Sequence, residues 1–259
     1  MSTTTIAPVW ILSHGSPMSL FEKDHPAHQH WITVGKKIRS LKPKGIVIVS
    51  AHWQAEHDLH RSLDDGKPFV QVNTNESNPL IFDFYNFPKH YYDTTFPTKN
   101  PASLNQRVIQ QLEGSGYKVQ QVDRGIDHGV WVPLKSAFGE SLEIPLVQVS
   151  LPIDRDALTD TKASLELGKS LRPLREQGFL IVGSGQAVHN LRDFFTNTPG
   201  AENTYGKTFP PALFKAMTEV SQEKDEDTAE QSRWKQAIQI ISRDDYRRAH
   251  PTPEHLSRE

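Results

Sequence analysis

The sequence predicts an α/β fold in a single domain, with a mainly parallel central sheet flanked by helices. Four short runs rich in β-branched and other apolar residues indicate strands that are buried on both faces, as in a parallel sheet. Longer amphipathic segments separate these runs and indicate the helices that connect parallel strands. The four predicted strands cover residues 9–12, 45–50, 144–151 and 179–182.

The helical segments follow from the spacing of their apolar residues and from their end signals. A glycine directly after the third segment, Gly178, is a typical helix stop, and Pro173 is expected to kink or divide that helix. Two stretches rich in polar residues and proline, 57–78 and 83–101, are predicted to be loops. No stretch resembles a linker, so we expect one domain over residues 1–259. The predicted helices cover residues 31–41, 102–112, 156–177, 212–221 and 229–241.

Composition excludes several classes of function. The formal net charge of -2 argues against nucleic-acid binding, which needs a basic surface. No run approaches the roughly 18 apolar residues of a membrane span. The N-terminal segment lacks the features of a signal peptide, so we expect a cytoplasmic protein without a membrane partner. Cysteine is absent, so a metal would have to be held by His, Asp or Glu.

Three of the 12 histidines follow predicted strands, which is where parallel α/β sheets bind ligands. His14 follows the first strand, His52 follows the second, and His189 follows the strand at 179–182. A single histidine in such a position is usually an ordinary polar residue, but three at equivalent positions favour a common site. Convergent imidazoles suit Zn(II) or Fe(II). The pattern therefore predicts a metal site at the carboxyl ends of the strands.

His128 lies between Asp127 and Gly129, in a turn before an apolar segment. A neighbouring carboxylate can orient an imidazole, which suits a general acid or base. Alternatively, Asp127 caps the following helix and His128 has no role in chemistry. The sequence leaves both interpretations open.

The remaining histidines give weaker signals. His255 lies in a proline-containing terminal segment of the kind that is usually frayed. Seven others are predicted to be surface or loop residues: His25, His28, His30, His57, His60, His90 and His250.

Six motifs, in order and over nearly the whole chain from Pro8 to His255, resemble the class III extradiol ring-cleavage dioxygenases. The branch that they resemble most is 4,5-DOPA dioxygenase extradiol. Each motif is weak alone, but six in register make the resemblance specific. The motifs are HGSPM, VSAHW, DFYNFP, DHGVWVPL, SGQAVHNL and PTPEH.

The resemblance implies an enzyme that uses O2 and non-haem Fe(II) to open a catechol ring beside its hydroxyl pair, giving a muconic semialdehyde. It implies that His14 and His52 bind the metal and that His255 is a further ligand. His189 matches a ligand in this branch and a catalytic histidine beside the metal in more distant relatives. His128 matches the acid-base histidine. The same site can hold Zn(II), and the expected partners are a small catechol and O2, with the protein a monomer or small homo-oligomer.

The aromatic segment 82–88 is expected to cover the site, or else to pack Phe84 and Phe87 into the core. The sequence also departs from the family pattern in two ways. More distant relatives complete the ligand set with a glutamate, whereas here Glu254 and His255 are adjacent. The chain ends four residues after His255, so we expect a C-terminus shorter than in relatives. A zinc-dependent hydrolase on the same scaffold and a catalytically weak metal-binding protein are the alternative functions.

Overall fold

The computed structural model describes residues 6–55, 67–152, 157–196, 203–219 and 225–251. Within these residues, six strands form one sheet in the order β1-β6-β2-β5-β3-β4. All neighbouring strands are parallel except β3 and β5, which are antiparallel. The predicted α/β fold with a mainly parallel sheet is therefore confirmed. The strands are β1 (Val9–Ser13), β2 (Gly45–Gln54), β3 (Phe69–Asn73), β4 (Lys118–Val122), β5 (Leu146–Leu151) and β6 (Phe179–Gly185).

Helices cover both faces of this sheet, as βαβ connections require. A short 3-10 helix at Pro17–Leu20 precedes the first of them. The helices are α1 (Pro26–Leu41), α2 (Lys89–Tyr92), α3 (Ala102–Gly114), α4 (His128–Phe138), α5 (Ala157–Leu171), α6 (Pro173–Glu176), α7 (Leu191–Thr196), α8 (Thr204–Thr218), α9 (Glu226–Ile241) and α10 (Tyr246–Ala249). Within the described residues, no helix is long and apolar enough to cross a membrane.

Strand β2 shows why a hydrophobic core lies on each face of the sheet. Ile46 and Ile48 contribute to the hydrophobic cluster under α1 and α4, whereas Val47 and Val49 belong to the cluster under α3 and α5. Successive side chains of a strand point to opposite faces, so an uninterrupted apolar run buries both faces of the sheet. The central strand thereby holds the two helix layers in fixed positions.

The prediction of a loop over 57–78 is wrong for β3, and β4 was not predicted at all. In β3, Gln71 and Asn73 alternate with valines, which gives the segment a polar appearance. Both polar side chains are nevertheless buried, because Gln71 bonds Gln120 of β4 at 2.7 Å and Asn73 bonds Asn78 at 2.8 Å. Side-chain hydrogen bonds make this burial tolerable, and the sequence pattern does not reveal them.

Two helix boundaries are informative. Pro173 divides the predicted 156–177 helix, because α5 ends at Leu171 and α6 begins at Pro173. Helix α8 begins well before the predicted residue 212 and includes Pro210 and Pro211. Its Tyr205, Phe209 and Leu213 belong to a third buried cluster, so tertiary packing outweighs the hydrogen bonds that the prolines remove.

A close contact fixes α4, which begins at His128. A Cβ atom on Gly35 of α1 would lie 2.1 Å from the carbonyl oxygen of Ala137 in α4. Only glycine therefore permits this approach of the two helices. The contact anchors α4 and thereby helps to set the position of His128 at its first turn.

Candidate metal centre

Two histidines meet at the carboxyl edge of the sheet. His14 directly follows β1, where its backbone N–H donates to the carbonyl of Gly185 at 3.2 Å. His52 lies in the last part of β2, within the stretch between Val49 and Gln54 over which the register with β5 shifts. Such irregularities re-aim side chains at the ends of strands. The Nε2 atoms of His14 and His52 lie 3.2 Å apart.

Ser184 of β6 determines which nitrogen of His14 carries its proton. The Ser184 hydroxyl donates its hydrogen to the carbonyl of Gly129 at 2.5 Å. The hydroxyl oxygen, 3.1 Å from Nδ1 of His14, must therefore accept from that nitrogen. With the proton on Nδ1, the neutral imidazole has a lone pair on Nε2, which is the form that binds a metal.

Asp83 contacts two histidines at once, with a different oxygen for each. Its Oδ1 accepts from the backbone N–H of His128 at 3.0 Å and from Nδ1 of the same residue at 2.8 Å. Its Oδ2 lies 3.3 Å from Nδ1 of His52. The imidazole rings of His52 and His128 are consequently close, with centroids 4.1 Å apart.

The carboxyl group of Asp83 is held as an anion. Burial by itself raises its pKa, but the hydrogen bond from His128 and the nearby imidazoles of His128 and His52 lower the pKa below its ordinary value. An ionised carboxylate can accept but not donate a hydrogen bond. Both neighbouring imidazoles are therefore favoured with a proton on Nδ1.

A second carboxylate, Asp127, lies in a hydrogen-bond network that holds the backbone of His52. Asp127 is fully buried and accepts from Ser50 at 2.6 Å, from Gln148 at 2.5 Å and from Arg124 at 3.2 Å. The Ser50 hydroxyl also accepts from the backbone N–H of His52, and Arg124 donates to the His52 carbonyl at 3.4 Å. The peptide groups on both sides of the His52 Cα are thus held in place.

The hypothesis that a neighbouring carboxylate orients His128 is therefore wrong for Asp127, because the His128 ring bonds Asp83. Asp127 does occupy the residue position before α4, but its side chain makes no capping hydrogen bond there. Its carboxylate is satisfied by the three donors of the buried network instead. Asp83 lies in a segment far from His128 in sequence, and sequence reasoning missed its role.

Glycine is required at position 129 because β2 and the buried Asp127 lie close to it. A Cβ atom there would lie 2.6 Å from Oγ of Ser50, 3.0 Å from Cδ2 of His52 and 3.1 Å from Oδ1 of Asp127. The first turn of α4 therefore packs directly against the histidine pair. This contact places His128 beside His52.

Aromatic residues form one wall next to His128. Phe84 is 7% exposed, belongs to the core cluster and lies 5.9 Å from the His128 ring. Phe82 and Phe84 both contact Trp131 of α4, whereas Tyr85 at the tip of this segment is 82% exposed. The segment thus packs Phe84 into the core and at the same time places it against a histidine of the site.

The structure brings together three of the histidines singled out from the sequence. Within the described residues, His14, His52 and His128 each offer one nitrogen, and these nitrogens lie within 4.8 Å of one another. His189 follows β6 but lies outside this group, and its backbone N–H donates to the carbonyl of Ala249 at 2.9 Å. His255 lies outside the described residues.

The prediction that seven other histidines lie at the surface or in loops is wrong for one of them. His28 is buried in α1, with Nδ1 3.4 Å from the carbonyl of Ser19. His250 lies in the loop after α10, as the prediction allows, although it is fully buried, with Nε2 3.0 Å from the carbonyl of Ala187. His57 and His60 lie outside the described residues, whereas the others are exposed: His25, His30 and His90.

Known proteins resemble this chain over most of its length. The family model described as the catalytic LigB subunit of aromatic ring-opening dioxygenase matches residues 8–255. A 4,5-DOPA dioxygenase extradiol from Beta vulgaris is 34% identical over 190 residues, which are 73% of this chain and 65% of the relative. A protein of the same name from Escherichia coli K12 is 33% identical over 192 residues, 74% of this chain and 63% of the relative. These matches span slightly less than two thirds of the two relatives.

Two further matches extend over more of the chain. A 4,5-DOPA dioxygenase extradiol-like protein from Schizosaccharomyces pombe is 28% identical over 97% of this chain and 82% of its own length. The crystal structure of an uncharacterized protein from Escherichia coli K12 has a TM-score of 0.63 at 23% identity, and the match covers 90% of this chain and 79% of that one. The structural likeness shows a common fold. Because the family model matches nearly the whole sequence, the chain belongs to the LigB family of aromatic ring-opening dioxygenases.

Proposed function

We propose that this chain is an extradiol dioxygenase that opens a catechol ring with O2, with Fe(II) as the working metal and His14 and His52 as two of its ligands. The observation that carries the proposal is the pair of Nε2 atoms 3.2 Å apart. Ser184 and Asp83 favour Nδ1 protonation of both rings, so two lone pairs face each other. In the absence of a cation between them, two facing lone pairs repel. Membership of the LigB family gives the site its chemical context.

The spacing of the pair fits a first-row divalent metal. Metal–nitrogen bonds to histidine are about 2.0–2.1 Å long, so two adjacent ligands of one ion lie about 3 Å apart. Neutral imidazoles suit Fe(II) and Zn(II) alike. We propose, from the motif positions, that His189 and His255 complete the ligand set. When bound, Fe(II) would supply the electron transfer that the reaction of a catechol with O2 requires.

His128 is proposed as the proton carrier for the catechol hydroxyls. Its Nδ1 donates to Asp83, which leaves the opposite ring nitrogen as an acceptor. A proton taken by that nitrogen creates an imidazolium, which the Asp83 carboxylate stabilises at 2.8 Å. The same group can return the proton later in the reaction. His189 is proposed as a second residue for proton transfer, in addition to its proposed role as a ligand.

The aromatic wall is suited to a planar substrate. Phe84 meets the His128 ring edge to face at 5.9 Å, and Phe82 lies against Trp131 at 5.6 Å. Apolar walls exclude water from a reactive centre and favour an aromatic ring beside them. These residues support a catechol as the substrate class, and the names of the relatives favour one with a DOPA-like side chain.

Oxygen uptake by the metal-loaded protein tests the proposal. Protein purified without oxygen is loaded with Fe(II), mixed with a set of catechols including DOPA, and monitored for O2 consumption and for a yellow ring-opened product. We expect stoichiometric coupling of the two signals with at least one catechol. Hydrolase activity with Zn(II) and no oxygen uptake would favour the hydrolase alternative, and no activity in either assay would favour a binding protein.

A further inference from the structure

We propose that Asp83 is a positioning residue that fixes the tautomer of His52 and so makes its Nε2 available to a metal. The inference rests on the proposed function, in which His52 is a metal ligand. Each oxygen of the Asp83 carboxylate contacts a different histidine, one proposed as a metal ligand and the other as a proton carrier. The key geometry is Oδ2 at 3.3 Å from Nδ1 of His52, while Oδ1 is occupied by His128.

The backbone N–H of His128 determines which oxygen of Asp83 faces which histidine. Oδ1 accepts two hydrogens from His128, one from the ring and one from the peptide N–H, at 2.8 and 3.0 Å. A peptide N–H can only donate. If an NH2 group replaced Oδ1, it would face the N–H of His128 as one donor against another, so an oxygen must stay at this position. The other position of the carboxyl group is therefore the one that faces His52.

An amide at position 83 replaces the acceptor that faces His52 by a donor. In Asp83→Asn, the amide oxygen has to remain with the two donors of His128, so the NH2 group faces Nδ1 of His52. An NH2 group donates, and Nδ1 must then carry the lone pair and Nε2 the proton. A protonated Nε2 would donate to Nε2 of His14, 3.2 Å away, and neither His52 nor this pair could then bind a metal well.

Truncation has a different effect from amide substitution. In Asp83→Ala the contact to His52 is lost, but the substitution places no new donor opposite Nδ1. The tautomer role therefore predicts that Asn is more harmful to metal binding than Ala. A purely structural role predicts the reverse, since Asn keeps the shape of Asp and Ala leaves a cavity.

The experiment combines calorimetric titration of metal-free protein with Co(II) and nitrogen NMR of labelled histidine rings at a pH where they are neutral. We expect wild-type His52 to carry its proton on Nδ1 and Asp83→Asn to carry it on Nε2. We expect Co(II) binding to be roughly 10- to 100-fold weaker in Asp83→Asn, as for the loss of other groups that orient metal ligands. Asp83→Ala should fall between this variant and the wild type.

Asp93→Asn is the matched control, because Asp93 is an exposed aspartate of the same segment and should leave affinity and tautomer unchanged. Wild-type affinity in Asp83→Asn, or weaker binding in Asp83→Ala than in Asp83→Asn, overturns the proposal. So does an Nε2 proton on His52 in the wild type, which is measurable even where a variant does not fold. If the wild type binds no metal but His52 changes tautomer in Asp83→Asn as expected, the proposed function fails while the control of the tautomer by Asp83 stands.

Discussion

Nε2 of His14 and Nε2 of His52 lie 3.2 Å apart, although β6 separates the strands from which they come. The strand between them carries Ser184 at the level of Leu12 and Ser50. A small side chain at this point allows two imidazoles to meet above the intervening strand. Ser184 also accepts from His14, so the same residue gives space and sets the tautomer.

Replacement of Ser184 by alanine should weaken metal binding by roughly 10- to 100-fold, because His14 loses the acceptor that keeps its proton on Nδ1. Calorimetric titration of the metal-free variant with Zn(II) measures the change. Ser40→Ala, which alters an exposed serine of α1, is the control and should bind as the wild type does. Equal affinity in both variants would show that Ser184 does not orient His14.

Alanine at either position of the histidine pair should abolish stoichiometric metal binding. His14→Ala and His52→Ala each remove one of the two facing lone pairs, and a single remaining imidazole of the pair holds a divalent ion poorly. Metal content after dialysis, measured by atomic emission, tests this. His30→Ala is the control, since His30 is exposed on α1. Full occupancy in either site variant would contradict the ligand assignment.

Removal of the His128 imidazole should leave the metal in place and slow the reaction. General acid–base groups typically contribute about 10²- to 10⁴-fold to rate, and we expect a loss of kcat in this range for His128→Ala. Metal content and turnover should be measured on the same preparation. If His128→Ala also loses stoichiometric metal, His128 is a ligand and the division of roles is wrong.

A methyl group on residue 129 should disturb the histidine pair as well as the fold. Gly129→Ala brings a Cβ atom to 2.6 Å from Ser50 and 3.0 Å from His52, both in β2. Overpacking of this kind typically costs about 1–3 kcal/mol of unfolding free energy, and the metal affinity should fall with it.

The matched control for this prediction is Gly168→Ala in α5, because a Cβ atom on this helical glycine would meet nothing within 4 Å. Since alanine favours the helix, this variant should be stabilised by about 0.5–1 kcal/mol. Urea unfolding of both variants provides the comparison. A neutral effect of Gly129→Ala would mean that β2 and α4 can separate without cost.

The parts of the fold that could be predicted are those whose strands are apolar on both faces. Residues 45–50 and 179–182 lie in β2 and β6 because continuous β-branched runs indicate central parallel strands. Strand β3 could not be predicted, since its buried Gln71 and Asn73 depend on partners that lie elsewhere in the sequence. Hydrogen-bond satisfaction is a tertiary property, and a local pattern does not contain it.

The site was predictable to a similar extent. His14 and His52 could be predicted because both follow predicted strands at the carboxyl edge of the sheet, and His128 because it follows a turn before an apolar segment. The structure brings these three histidines together. Asp83 was not singled out because a carboxylate in a loop gives no periodic signal. A charge between Phe82 and Phe84, in an otherwise aromatic stretch, is the feature that could have drawn attention to it.

Labelled dioxygen tests the central claim most directly. The Fe(II)-loaded protein is given a catechol that it consumes under an atmosphere of heavy-oxygen dioxygen, and the ring-opened product is examined by mass spectrometry. The account predicts that both labelled atoms enter the product and that His52→Ala yields none of it. Unlabelled product, or product that takes its oxygen only from water, would contradict the account.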